Sequence, residues 1–213
     1  MELINPVVRN WQRRAAEDPD AFWSAAAEQL PWFRRWERVL DWTPPTFRWF
    51  SGAQTNLSYN CLDHHVAHGR GGQAALVAEN ERGERRVYTY AQLLEQVKRL
   101  AAALRGLGIE RGDRVAIYMP TCPEAIALML AVTRIGAIHL VVFAGFGSGA
   151  LAERLRLSGA RALFYTDLTF RKGKDVPLAG IVEDALEQAG ATVERVVVLR
   201  RGNDPGSSRP GRD

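Results

Sequence analysis

The sequence predicts an α/β fold: an incomplete parallel sheet flanked by helices, preceded by an aromatic-rich N-terminal segment that wraps another surface. Three observations carry this. Between Ala74 and Leu199 short apolar runs alternate with stretches of helical period, the pattern of βαβ units whose helices cover a parallel sheet. Hydrophobic residues make up 46% and charged residues 24% of the 213 positions, the balance of a folded globular chain and not of disorder or a collagen-like repeat. All six tryptophans fall between Trp11 and Trp49, which sets the aromatic content apart from the alternating region.

Residues 1–72 form the first predicted region. Pro6, Pro19, Pro31, Pro44 and Pro45 punctuate it and no long period runs through it. Aromatic side chains bury a large area each, so a few can dock an irregular segment. The prolines argue against a helical domain of its own. A polar, glycine-rich break at Gly69–Gly72 leads into the second region, residues 73–199. Here Ala74–Ala78 and Arg86–Tyr88 read as strands around a turn at Arg82-Gly83. Thr89 and Gln92 have the spacing of a capping box. Leu93, Val97, Leu100, Leu104 and Leu107 recur at helical spacing, and Gly106 and Gly108 supply the stop.

Arg114–Met119 is a compact apolar strand. Pro123 suits the first turn of the helix that follows, where a missing N–H costs nothing; that helix ends at Gly136. Ile138–Phe143 is the next strand, then a glycine-rich turn and a helix carrying Leu151 and Leu155. Ala162–Thr166 is a strand, Ile181–Gln188 a helix and Val193–Leu199 a last strand. Residues 200–213 contain no apolar anchor and read as a flexible linker or tail.

Composition removes several function classes. Cys61 and Cys122 are too few for a disulfide framework and suit a reducing compartment. No apolar run is long enough to span a bilayer, and the first residues lack a signal pattern, so the expectation is a cytoplasmic protein without a membrane partner. Lys and Arg number 28 against 24 Asp and Glu, a net +4. Arg200, Arg201, Arg209 and Arg212 against Asp204 and Asp213 put half of that in the tail, so no basic stripe marks a nucleic-acid face.

Four patterns could carry chemistry. His64, His65 and His68 lack converging further ligands, so a solvated helix face with one inward histidine is expected, and no metal site. Cys122, at a helix start, reads as a structural thiol and not a nucleophile. Phe143-Ala144-Gly145-Phe146-Gly147-Ser148 joins a strand end to a helix, where open α/β sheets collect ligands. It fits neither the dinucleotide fingerprint nor a phosphate loop ending in Gly-Lys-Ser/Thr, and alone it reads as a tight turn. Arg171, Lys172, Gly173 and Lys174 lie in a loop after a strand end. Three cations around one glycine are either a phosphate pocket, with a planar fork from Arg and point charges from Lys, or a solvated basic loop. No set of residues is predicted to be catalytic.

Several ordered segments then match a known family. Trp49-Phe50-Ser51-Gly52-Ala53-Gln54-Thr55-Asn56-Leu57-Ser58-Tyr59-Asn60-Cys61-Leu62-Asp63 resembles the end of the N-terminal extension of acetyl-CoA synthetases. Gly112-Asp113-Arg114-Val115-Ala116-Ile117-Tyr118-Met119-Pro120 with Pro123-Glu124, Arg134-Ile135-Gly136-Ala137-Ile138-His139, and Val142-Phe143-Ala144-Gly145-Phe146 continue the resemblance in order up to about residue 199. These are AMP-forming short-chain acyl-CoA ligases, which make an acyl-adenylate from ATP and a carboxylate and pass the acyl group to CoA.

The resemblance implies that residues 1–72 are that extension and 73–199 the first part of the large AMP-binding domain. It implies CoA as a ligand, with Gly145 beside the pantetheine arm and Arg171 and Lys174 at the phosphate-bearing adenosine end. Lys172 and Gly173 complete that turn. Lys174 stands where the family often has Arg, which trades a bidentate contact for a point charge. ATP, Mg2+ and a short-chain carboxylate are implied for the complete enzyme. Its Ser/Thr/Gly-rich loop ending in Pro-Lys-Gly, acyl pocket, ribose-binding aspartate and catalytic lysine do not occur in these residues. The chain is therefore expected to be a truncated, catalytically incomplete N-terminal portion, with the missing C-terminal part as a partner. The competing expectation is a short non-catalytic CoA-binding or interaction module that pairs with a separately encoded remainder.

Overall fold

The structure, a computed structural model, describes residues 5–190 and 192–202. The described residues divide into two compact units, one ending at Asn60 and the other beginning at Cys61. Of the tail expected over residues 200–213, the part from Asn203 onward lies outside the described residues.

In the first unit, helices α1 (Pro6–Glu17) and α2 (Pro19–Ala27) precede the antiparallel strands β1 (Arg38–Thr43) and β2 (Thr46–Ser51). The two helices correct the reading of prolines as interruptions. Pro6 and Pro19 sit in first turns, where the absent N–H leaves no bond unmade. Asn5 and Asp18 cap them by accepting hydrogen bonds from the backbone N–H of Val7 and Ala21. Aromatic rings pack on one another within the unit: Trp32 lies 5.3 Å from Trp36 and 5.5 Å from Phe50, centroid to centroid.

The second unit opens with irregular helical turns, including Val66–Arg70, and an antiparallel pair, β3 (Ala74–Glu79) and β4 (Arg85–Thr89). Thr89 then forms the expected capping box with Gln92 and starts α3 (Tyr90–Gly106). There follow β5 (Arg114–Tyr118), α4 (Pro123–Arg134), β6 (Ile138–Val141), α5 (Ser148–Ser158) and β7 (Ala162–Thr166). After β7 come β8 (Leu168–Arg171), β9 (Lys174–Pro177), α6 (Ala179–Ala189) and β10 (Arg195–Leu199).

Four strands form one parallel sheet in the order β10-β7-β5-β6. Helices flank it, as the alternation of strands and helices predicts. The central strand β5 reads as a continuous apolar run because both of its faces are buried. Val115 and Ile117 join Leu93, Val97 and Leu104 of α3 and Leu128 and Val132 of α4 in one cluster. Ala116 and Tyr118 face the other way, onto Leu151 and Leu155 of α5 and Val182 and Ala185 of α6. Each fully buried aliphatic side chain here contributes about 1.5–3 kcal/mol.

Ion pairs stitch the unit where the core thins. Arg161 donates to Asp113 at 2.6 Å and to both oxygens of Glu194 at 3.0 and 2.8 Å. Arg134 makes a bidentate pair with Asp63 at 2.7 and 2.9 Å. Among the described residues no helix is long and apolar enough to cross a membrane.

Candidate functional site

The turn between β6 and α5 is drawn tight by its own backbone and by a buried phenol. The Phe146 N–H donates to the Phe143 carbonyl at 3.0 Å. The hydroxyl of Tyr118, at the end of β5, donates to the Phe146 carbonyl at 2.6 Å. Tyr118 is fully buried, and burial pushes its phenol above the ordinary value, so it stays a neutral donor. Phe143 is left 60% exposed, its ring beside the turn it starts.

Position 145 admits a side chain only if a neighbouring side chain moves. A Cβ there would run into the Phe143 ring and stand 2.9 Å from Nη1 of Arg171. The demand is a close approach and not an unusual backbone angle. The Arg171 guanidinium lies 5.8 Å from the Phe143 ring centroid, within cation–π range.

Arg171 reaches this place from a hairpin and not from the loop that its sequence suggests. Residues 168–177 form a β-hairpin, with Arg171 opposite Lys174 and a two-residue turn at Lys172-Gly173. Both turn residues have positive φ, 50° at Lys172 and 72° at Gly173, the geometry that matches the twist of a two-residue hairpin. A lysine at the first turn position is an uncommon turn signal, which is why the hairpin does not stand out in the sequence. Directly opposed residues of an antiparallel pair project from the same face, so Arg171 and Lys174 stand together as like charges. Among the described residues neither makes an ion pair.

The turn and the hairpin enclose a cleft of about 420 Å³ at the carboxyl ends of β5 and β6. Gly145, Phe143, Thr121, Glu81, Thr169 and Arg171 are among its lining residues. Of the five residues singled out in the sequence, the structure thus brings Gly145 and Arg171 together in the cleft. It sets Lys172, Gly173 and Lys174 at the exposed hairpin end beside it. Glu81 joins the site only through tertiary contact. The Gly145 region could bear on Phe143 from sequence alone; nothing in the spacing relates Glu81 to position 171.

The remaining clusters behave differently. The rings of His64 and His68 lie tilted at 42° with centroids 4.1 Å apart, and His65 packs 4.8 Å from Tyr90. Burial and the neighbouring histidines hold His64 below its ordinary value. Cys122 is buried at the position that precedes α4 without a capping hydrogen bond from its side chain, and burial pushes its thiol up, the opposite of an activated nucleophile. A second cleft of about 400 Å³ lies along edge strand β10 and is lined mainly by apolar side chains such as Leu100, Leu128, Phe164 and Leu199.

Known proteins resemble the chain over most of its length. Residues 62–210 match the family described as AMP-binding enzyme, and residues 8–61 match the acetyl-coenzyme A synthetase N-terminus. An acetyl-coenzyme A synthetase of Deinococcus radiodurans is 45% identical over 91% of this chain and 30% of its own length. A 3-hydroxypropionyl-coenzyme A synthetase of Metallosphaera sedula is 44% identical over 92% of this chain and 30% of its own. Among solved structures, acetoacetyl-CoA synthetase from Streptomyces lividans superposes with a TM-score of 0.84 at 28% identity, over 94% of this chain and 31% of that one. The chain spans about 30% of the length of the curated relatives it matches.

Proposed function

The chain belongs to the AMP-binding enzyme family, and from that premise we propose that it supplies the CoA-binding part of an AMP-forming acetate- or propionate-CoA ligase. The printed names of its relatives differ in the acyl group and share coenzyme A, which supports placing the reading on the CoA side. The observation that carries the reading is the hairpin's pairing of Arg171 with Lys174. Two like charges opposed on one face destabilise a hairpin, and a bound phosphate turns that repulsion into attraction.

The cleft suits the rest of such a ligand. Gly145 lets the Phe143 ring and the Arg171 guanidinium close onto the turn, so an apolar wall and a cation stand side by side for a ligand with a narrow chain and a phosphate. Arg171 supplies a planar fork and Lys172 and Lys174 mobile point charges. Their work is to bind and orient: a remote phosphate anchor raises the effective concentration of a thiol at a reacting centre elsewhere. Among the described residues no group of three or more His, Cys, Asp or Glu side chains gathers to hold a metal ion. We therefore expect the 213 residues alone not to activate a carboxylate, because preorganised charge stabilisation for phosphoryl chemistry is what such a step requires. Acetate- and ATP-dependent pyrophosphate release by the pure chain would contradict that.

Calorimetric titration with CoA tests the binding reading. Arg171→Ala should weaken binding about tenfold, the loss of one charge-assisted contact, and Lys174→Ala by less. Wild-type affinity in Arg171→Ala would remove this hairpin from the site.

A further inference from the structure

We infer that Arg82, in the turn between β3 and β4, is a positioning residue for the basic hairpin: it grips one face of β8–β9 so that Arg171 and Lys174 stand together on the other. The inference rests on reading that hairpin as a phosphate site.

The hairpin pairs with no strand of the parallel sheet; β8 and β9 form a two-stranded sheet of their own. A lone two-stranded hairpin is marginal in water and needs an outside anchor. Arg82 provides one from a point 93 residues away in the chain. Its Nη2 donates to Asp175 Oδ1 at 2.5 Å, and its guanidinium lies 3.8 Å from the Phe170 ring centroid. Phe170 and Asp175 are directly opposed across the hairpin, so one side chain holds both strands. By alternation along the strands, these two project from the face opposite to Arg171 and Lys174. The arm itself is fixed at its root: Asn80 Oδ1 accepts from the backbone N–H of Arg82 and of Glu84, each at 3.0 Å. The neighbouring Glu81 carboxylate stands 3.5 Å from the Gly173 nitrogen.

Arg82 could otherwise act only as one more cation near the phosphate, and Asp175 separates the two roles. If charge alone mattered, Asp175→Asn would remove an anion and tighten phosphate binding. If Arg82 positions the hairpin through Asp175, the same substitution loosens it and weakens binding.

The experiment uses the 213-residue chain, titrated with adenosine 3′,5′-bisphosphate and followed separately by backbone amide exchange over residues 168–177. Arg82→Ala is expected to raise the dissociation constant about fivefold and Asp175→Asn about threefold, the size of one exposed pair plus one ring contact. In both variants the hairpin amides should exchange faster while those of α3 and α4 keep wild-type rates. Arg82→Lys keeps the charge without the planar fork and should recover only part of the affinity. Tighter or unchanged binding in Asp175→Asn, or unchanged hairpin exchange in Arg82→Ala, overturns the inference. Arg171→Ala is the control for the site itself. Should wild type and Arg171→Ala bind alike, or neither bind, the phosphate reading fails while amide exchange still decides whether Arg82 holds the hairpin.

Discussion

A methyl group at position 145 would collide with the Phe143 ring and approach Nη1 of Arg171 to 2.9 Å, so one of those side chains has to move. Gly145→Ala should keep the melting temperature within a few degrees and weaken CoA binding about tenfold, because the collision falls on the ligand's walls and not on the core. Equal affinity would show that nothing passes over this turn. Tyr118 makes a different prediction. Tyr118→Phe keeps the buried ring and leaves the Phe146 carbonyl without its 2.6 Å donor, which should cost about 1 kcal/mol in urea unfolding. An unchanged urea midpoint would mean that the turn is held by its backbone alone. At this scale the sequence was informative where chemistry is local. Gly145 follows an apolar strand at the end of a sheet, and Arg171 sits among cations, so both could be singled out. Glu81 and Arg82 could not be, since their relevance comes from contacts made about ninety residues along the chain.

Among the elements, those buried on one or both faces were legible. The strand Ala162–Thr166 has the bounds expected from its apolar run, and the capping box at Thr89 marks the start of α3. The missed elements were hidden by residues that read as breaks. Helix α1 does carry an apolar stripe in Val7, Val8, Trp11 and Ala15, but none of its residues is buried and the prolines around it read as breaks; β8–β9 hides behind a Lys-Gly turn. That turn can be improved. Lys172 holds φ 50°, which a residue with a long side chain adopts at a cost of about 1 kcal/mol. Lys172→Asn would create the Asn-Gly pair favoured in such turns and should stabilise the hairpin by roughly 0.5 kcal/mol, read as slower amide exchange over residues 168–177. Faster exchange would contradict the turn geometry.

For the molecule as a whole, the α/β class was legible because β5 and β7 are apolar on both faces, while the strand order β10-β7-β5-β6 was not. All four strands are short and similarly apolar, and their pairing is decided by helix packing over long sequence separations. The same long-range contacts set the response to acid. The Arg134 hydrogen bonds hold the Asp63 carboxyl below its ordinary value. The Glu110 backbone N–H and then Arg161 do so for Asp113, and Arg161 does so for Glu194. Glu124 is opposed by burial, yet the Arg86 hydrogen bond brings it below its ordinary value. A carboxyl with a depressed folded value contributes stability above its unfolded value, about pH 4, and loses it as the pH falls through the folded value. The urea midpoint should therefore fall steeply below about pH 4. Arg134→Ala, which leaves a largely buried Asp63 unpaired, should cost about 1–3 kcal/mol at neutral pH and flatten that fall. An unaltered acid profile in the variant would assign the acid response to other groups.

The central claim is that the Arg171–Lys174 hairpin beside Gly145 takes the phosphate-bearing end of CoA. Calorimetric titration of the chain with CoA, set against CoA lacking its 3′-phosphate, tests it most directly. The account predicts that CoA binds about tenfold more tightly and that raising the salt concentration narrows the difference. Equal affinity for the two, or a difference untouched by salt, would contradict it.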